Sequence, residues 1–173
     1  MVLGIGIDTA DTSDVAASLA RFGRRYVDRV LAPSEAVALV GSPEPARLIA
    51  WHWAAKEAVT KTLAPAPDDS WPWPAIEVDR ADGSVRLHGR PAQLAAARGI
   101  EQITVATAGE LAAELKLKPR LEPTPDQRPT NQTVTVLATA TRSTRSTGPV
   151  PQHSQQHDRP HHHKHTIQKG TPA

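Results

Sequence analysis

From about Glu44 to Leu63 the chain sets Leu48, Trp51, Ala55, Ala58, Val59 and Thr62 at three- and four-residue spacing, and Pro65 and Pro67 close the run. This period predicts one long amphipathic helix, and a helix with a single apolar stripe must bury that stripe against a second layer. The same spacing lines Trp53, Glu57 and Lys61 along a flanking stripe, so Glu57 is presented rather than buried.

Short strand-like stretches supply the second layer. Val2 to Ile7 is apolar and broken by Gly4 and Gly6, which reads as a buried strand with room for another backbone or a ligand to come close; Asp8 then stands at its end. Asp11-Thr12-Ser13-Asp14 offers cap residues for a helix through Val15, Leu19 and Phe22, stopped or kinked at Gly23, and Pro33-Ser34-Glu35 opens a second short helix. Ala75 to Val78 and Val85 to Leu87 alternate as strands around an Asp82-Gly83 turn. Pro91 to Arg98 reads as helix, Gln102 to Ala106 as strand and Glu110 to Leu115 as helix. The expected class is α+β, an antiparallel sheet against a long helix.

Composition divides the chain near residue 118. Residues 119–173 hold eight of the 16 prolines and six of the 8 histidines, and only Val134 to Ala140 resembles a strand there. Such a segment buries too little apolar surface to offset its ordering entropy, so the expectation is a domain over 1–118 and a disordered Pro/Thr/His-rich tail over 119–173. The formal charge of +2 splits the same way: residues 1–118 carry 13 Lys and Arg against 15 Asp and Glu, and the tail carries 7 against 3. The basic character therefore belongs to the tail, which lacks aromatic platforms, and a nucleic-acid partner is not expected. The cluster His161-His162-His163-Lys164-His165 reads as low-complexity sequence rather than a built metal site. With no cysteine, no basic-then-apolar leader and no run of membrane-spanning length, the expected location is cytoplasmic, with no membrane partner.

The chemistry lies in two stretches. Gly4-Ile5-Gly6 lacks the third glycine of a dinucleotide fingerprint, and Asp8 stands where a phosphate-binding helix would have to begin, so that reading is rejected. Asp8 by itself suits an Asx turn or cap, and Glu57 by itself suits an i, i+4 partner for Lys61. If the first strand lies beside the long helix, the two carboxylates converge. Mg²⁺ prefers one or two carboxylates completed by phosphate oxygens and water, so Asp8 and Glu57 would suit an ion carried in with a phosphorylated ligand, with Lys56 or Lys61 on its phosphates.

Taken in order, Gly4-Ile5-Gly6-Ile7-Asp8, Arg25-Tyr26-Val27-Asp28-Arg29-Val30-Leu31-Ala32-Pro33-Ser34-Glu35, Trp53-Ala54-Ala55-Lys56-Glu57-Ala58-Val59-Thr60-Lys61, and then Ile76-Glu77-Val78 with Leu87-His88-Gly89 resemble the holo-[acyl-carrier-protein] synthases. These are the small-subunit type of 4′-phosphopantetheinyl transferase, and the similarity covers roughly residues 2–105. The resemblance implies that fold and Mg²⁺-dependent transfer of the phosphopantetheine arm of coenzyme A to a serine of an apo acyl carrier protein, releasing adenosine 3′,5′-bisphosphate. It implies Asp8 and Glu57 as Mg²⁺ ligands, Lys61 on phosphate with Lys56 beside it, and Glu35 or a metal-bound water as acceptor of the serine proton. It also gives Arg21, Arg24 and Arg25 a purpose as a docking surface for the acidic carrier protein, and a homotrimer as the assembly.

The resemblance ends near Val105. The family continues with a Ser-x-Ser-His-like segment and one further strand of small apolar residues, whereas this chain has Ala106-Thr107-Ala108-Gly109. Since that region helps bind the cofactor and build the subunit interface in the family, the alternative is an impaired homologue that binds carrier protein or coenzyme A without efficient transfer.

Overall fold

The computed structural model describes residues 1–114, 116 and 133–143. Strand β1 (Val2–Asp11) leads into helices α1 (Thr12–Phe22), α2 (Arg24–Val30) and α3 (Pro33–Ala36), then the long α4 (Pro45–Leu63). The hairpin β2 (Ile76–Val78) and β3 (Val85–Leu87), helix α5 (Arg90–Ala97), strand β4 (Gln102–Thr107), helix α6 (Ala108–Glu114) and strand β5 (Thr133–Thr141) follow. Among the described residues no helix is long and apolar enough to cross a membrane.

The main sheet has the order β1-β5-β4, with β5 antiparallel to both neighbours, and α4 lies across one face of it against β1 and β5. Ile49, Ala54, Ala58 and Val59 of α4 meet Val136, Ala138 and Ala140 of β5 in the fully buried centre of the core. Small residues on both surfaces let helix and sheet approach closely. A Cβ built on Gly6 would run into the Ala58 carbonyl oxygen and stand 2.6 Å from Thr62 Oγ1, so glycine is required where β1 crosses α4.

Two differences from the sequence expectations follow from that central strand. Thr133–Thr141 lies within the range assigned to a disordered tail, yet it is the middle strand of the sheet, its Val136, Ala138 and Ala140 turned inward and its threonines alternating outward. The domain therefore draws on residues beyond 118. The rest of the expected tail, residues 119–132 and 144–173 with the histidine cluster, lies outside the described residues. Asp8 does not end its strand: it is paired with Val136, and β1 runs on to Asp11 opposite Thr133 because β5 continues to offer a partner. At Gly23 (φ 52°) the chain kinks rather than stops, and α2 resumes helix directly after it.

The remaining elements form where expected, although β1 is not a buried strand: it buries Gly6 and Ala10 and leaves Ile5 and Ile7 exposed. Asp11 caps α1 by accepting the Ser13 backbone N–H at 2.7 Å. The helix expected after Val105 is α6, closed by a reciprocal cap in which Thr107 N–H donates to Glu110 Oε2 at 2.7 Å and Glu110 N–H donates to Thr107 Oγ1 at 3.1 Å.

Candidate functional site

Asp8 reaches the site from β1 because strand alternation turns Gly4, Gly6, Asp8 and Ala10 toward α4, while Ile5, Ile7 and Thr9 face the other way. The two glycines bring the backbone close to the helix, and Asp8 follows with a side chain that is only 17% exposed. Across from it, α4 presents Glu57 and, one turn later, Lys61. The Lys61 ammonium lies 2.5 Å from Asp8 Oδ1 and donates a second hydrogen bond to the Ile7 carbonyl at 3.0 Å. The i, i+4 partnership of Lys61 with Glu57 is thus not made.

Glu57 is half-buried, and among the described residues no side chain forms a hydrogen bond or ion pair with it. Burial first, and the neighbouring Asp8 carboxylate second, push its carboxyl above the usual range; the Lys61 charge only partly offsets them. Two carboxylates and one ammonium therefore converge where the sequence brought them together, with negative charge in excess. A cluster of three or more His, Cys, Asp or Glu able to hold a metal does not occur among the described residues. The donor set that fits is a hard divalent ion held by two carboxylates and completed by ligand oxygens and water.

Glu35 and Lys56 are placed elsewhere, paired with each other in a buried network. Lys56 is fully buried, its ammonium 2.6 Å from Glu35 Oε2 and 3.2 Å from the Trp73 carbonyl, so two of its three donors are taken by partners other than Asp8 and Glu57. Glu35 is only 6% exposed, and both its oxygens are occupied. Its Oε1 accepts the Val78 backbone N–H at 2.7 Å, and its Oε2 accepts the Ala32 N–H at 2.7 Å together with Lys56. Burial raises the Glu35 carboxyl, but His52, the Lys56 ammonium and the Ala32 N–H outweigh it and hold the group below the usual carboxylate range. These bonds tie α3 and β2 to α4 through Glu35.

His52 belongs to the same buried network and was not singled out from sequence. Its Nδ1 stands 3.4 Å from Glu35 Oε1, and its ring meets Trp51 edge to face at 4.9 Å. The signal available was its spacing, one turn before Lys56 on the inward face of α4. Near this network a cleft of about 1350 Å³, whose lining includes Glu35, Trp51, His52, Arg86 and Glu110, separates α4 from the β2–β3 hairpin and the start of α6. Asp8, Glu57 and Lys61 do not line it.

Arg21, Arg24 and Arg25 lie exposed where α1 meets α2. Arg24 Nε pairs with Asp28 Oδ1 at 2.6 Å, and the Arg21 guanidinium covers the half-exposed Phe22 ring at 5.0 Å. The three form a basic surface apart from the Asp8 contacts.

The chain is similar in sequence and in fold to known proteins. The family model of the 4′-phosphopantetheinyl transferase superfamily matches residues 4–113. The holo-[acyl-carrier-protein] synthase of Halorhodospira halophila is 32% identical over 113 residues, 64% of this chain and 90% of that protein. That of Thiobacillus denitrificans is 46% identical over 63 residues, 36% of this chain and 48% of the relative, so that match spans about half the relative's length. Among solved structures, the Neisseria meningitidis holo-[acyl-carrier-protein] synthase superposes with a TM-score of 0.58 at 19% identity, covering 82% of this chain and all of that one. The Helicobacter pylori enzyme, solved in complex with coenzyme A, gives a TM-score of 0.55 at 16% identity over 79% of this chain and 99% of its own. At these identities the two structures share the fold.

Proposed function

The chain belongs to the 4′-phosphopantetheinyl transferase superfamily, and on that premise we propose that it transfers the 4′-phosphopantetheine arm of coenzyme A to a serine hydroxyl of an acyl carrier protein, releasing adenosine 3′,5′-bisphosphate. The observation that carries this reading is the convergence of Asp8, Glu57 and Lys61 at the contact of β1 with α4. Asp8 and Glu57 would hold Mg²⁺, which when bound neutralises charge on the pyrophosphate. Lys61, half exposed and bonded to Asp8 and the Ile7 carbonyl, would donate its remaining N–H to a phosphate oxygen. Fixing the pyrophosphate between these groups aligns its phosphorus for in-line attack by the serine oxygen. With Glu35 occupied by Ala32, Val78 and Lys56, water is left to take the serine proton.

Arg21, Arg24 and Arg25 supply a basic approach for an acidic carrier protein, and carrier association that slows with added salt would support that use. The sheet face away from α4 exposes Ile5 (64%) and Ile7 (57%), an apolar surface suited to contact between protomers of a trimer; light scattering reads the assembly directly.

One observation favours a second reading. After β4 the chain turns at Thr107 into α6, so the further strand of small apolar residues comes only as β5 and Ala106-Thr107-Ala108-Gly109 stands where a Ser-x-Ser-His-like segment is expected. The alternative is a homologue that binds coenzyme A or carrier protein without efficient transfer. Incubating the full chain with apo carrier protein, coenzyme A and Mg²⁺ and weighing the carrier decides between them: a gain of one phosphopantetheine arm supports the enzyme, and binding with no gain supports the alternative.

A further inference from the structure

The Lys61 ammonium is held by β1, not by its own helix. Asp8 Oδ1 at 2.5 Å and the Ile7 carbonyl at 3.0 Å take two of its three N–H groups, while the side chain as a whole is 51% exposed. Glu57, one turn earlier on the same helix face, does not pair with it, so the single cation of the site rests on one carboxylate and leaves the other open.

A divalent ion entering alone meets two obstacles. It must share Asp8 with Lys61, which already holds the Oδ1 oxygen, and it is repelled by that positive charge only a few ångströms away. An ion that arrives on a phosphate ester meets neither, because the phosphate oxygens offer the displaced ammonium new acceptors and reverse the sign of its interaction with the incoming complex. We propose that Lys61 makes the Asp8–Glu57 site select a divalent cation carried on a phosphate ester over the bare ion. Lys61 is then a placeholder cation at Asp8 that excludes metal until the ligand comes with it. The inference rests on the reading of Asp8 and Glu57 as metal ligands.

Mn²⁺ binding followed by electron paramagnetic resonance tests it without reference to activity. The full chain and its Lys61→Met variant are titrated with Mn²⁺ alone and with Mn²⁺ plus coenzyme A. Removing the competing charge should tighten binding of bare Mn²⁺ by roughly tenfold, and should shrink the further gain that coenzyme A gives. Lys61→Gln keeps a donor for the Ile7 carbonyl without the charge and should shift bare Mn²⁺ binding in the same direction, so the test survives poor folding of Lys61→Met. Equal or weaker binding of bare Mn²⁺ by the folded variants, while coenzyme A still strengthens Mn²⁺ binding to the unaltered chain, overturns the selection and leaves the metal site standing. If coenzyme A does not strengthen Mn²⁺ binding to the unaltered chain, and Asp8→Asn leaves Mn²⁺ binding unchanged, the metal-site reading falls and the selection with it.

Discussion

Lys56 and Glu57 are neighbours on α4 yet serve different surfaces: Lys56 is buried 2.6 Å from Glu35, and Glu57 turns toward Asp8. One helix residue spans about 100° of rotation. The buried ion pair therefore fixes the rotation of α4, and that rotation aims Glu57.

Breaking this pair should cost more than its surface counterparts do. Glu35→Gln leaves the Lys56 ammonium buried beside a neutral amide and should destabilise by about 3 kcal/mol or more, while Glu35→Gln combined with Lys56→Met should recover part of the loss. Urea unfolding of the two single variants and the double variant reads the coupling. Equal and additive losses would show that the two side chains do not act as a pair.

The pair also sets a pH dependence. Because the folded state holds the Glu35 carboxyl below its ordinary value, its contribution is fully present above that value and is lost as pH falls through the lower folded value. Acid unfolding of the wild type should accordingly be steeper than that of the double variant, measured by circular dichroism against pH.

Glu57 has the opposite sign. Its carboxyl is raised by burial and by Asp8, so the folded state binds the proton more tightly than the unfolded chain does, and stability declines as pH rises from the ordinary glutamate value through the raised one. Glu57→Gln should therefore stabilise the ligand-free protein at neutral pH by about 0.5 kcal/mol, a modest gain because the side chain is partly exposed, and should make little difference below the ordinary value. Denaturant midpoints at the two pH values check it; a loss of stability at neutral pH would contradict the excess of negative charge inferred for the site.

Much of this arrangement was legible in the sequence because it rests on local signals. The spacing along α4, the stop at Pro65 and the paired glycines before Asp8 each fixed an element or a close approach. The resemblance then joined Asp8 to Glu57, residues far apart in the chain that no periodicity connects. What escaped was set by tertiary context. Thr133–Thr141 alternates alanine and valine with threonine, so it carries little apolar mass and sits in polar, proline-rich sequence; only pairing with β1 and β4 makes it a core strand. Glu35 and Lys56 looked like available charges because nothing in their spacing, twenty-one positions apart, reveals that they bury each other.

Gly6 gives a sharper test of how the site is assembled. Gly6→Ala places a methyl against the Ala58 carbonyl and 2.6 Å from Thr62 Oγ1, and neither backbone can yield without moving β1 off α4. The expected loss is about 3 kcal/mol, at the upper end for overpacking, with weaker Mn²⁺ uptake in the presence of coenzyme A because Asp8 moves with the strand. Thermal melting and the same spin titration read both effects, and an unchanged melting point would contradict the close crossing.

The central position of β5 predicts where the chain can be cut. A chain ending at Lys118 loses the strand between β1 and β4 and with it Val136, Ala138 and Ala140 from the core, leaving β1 and β4 without their shared partner. It should be unfolded by circular dichroism, whereas a chain ending at Ser143 keeps all three strands. A folded, cooperative 1–118 chain would contradict the sheet order.

The carboxylates themselves are tested most directly by weighing an apo acyl carrier protein after incubation with coenzyme A, Mg²⁺ and the Asp8→Asn or Glu57→Gln chain, alongside the unaltered one. The unaltered chain should add one phosphopantetheine arm, and each variant, folded by circular dichroism, should slow that addition by at least about a hundredfold, the scale on which lost charge stabilisation reduces catalysis. Transfer by either variant at the unaltered rate would show that the Asp8–Glu57 pair is not where the chemistry happens.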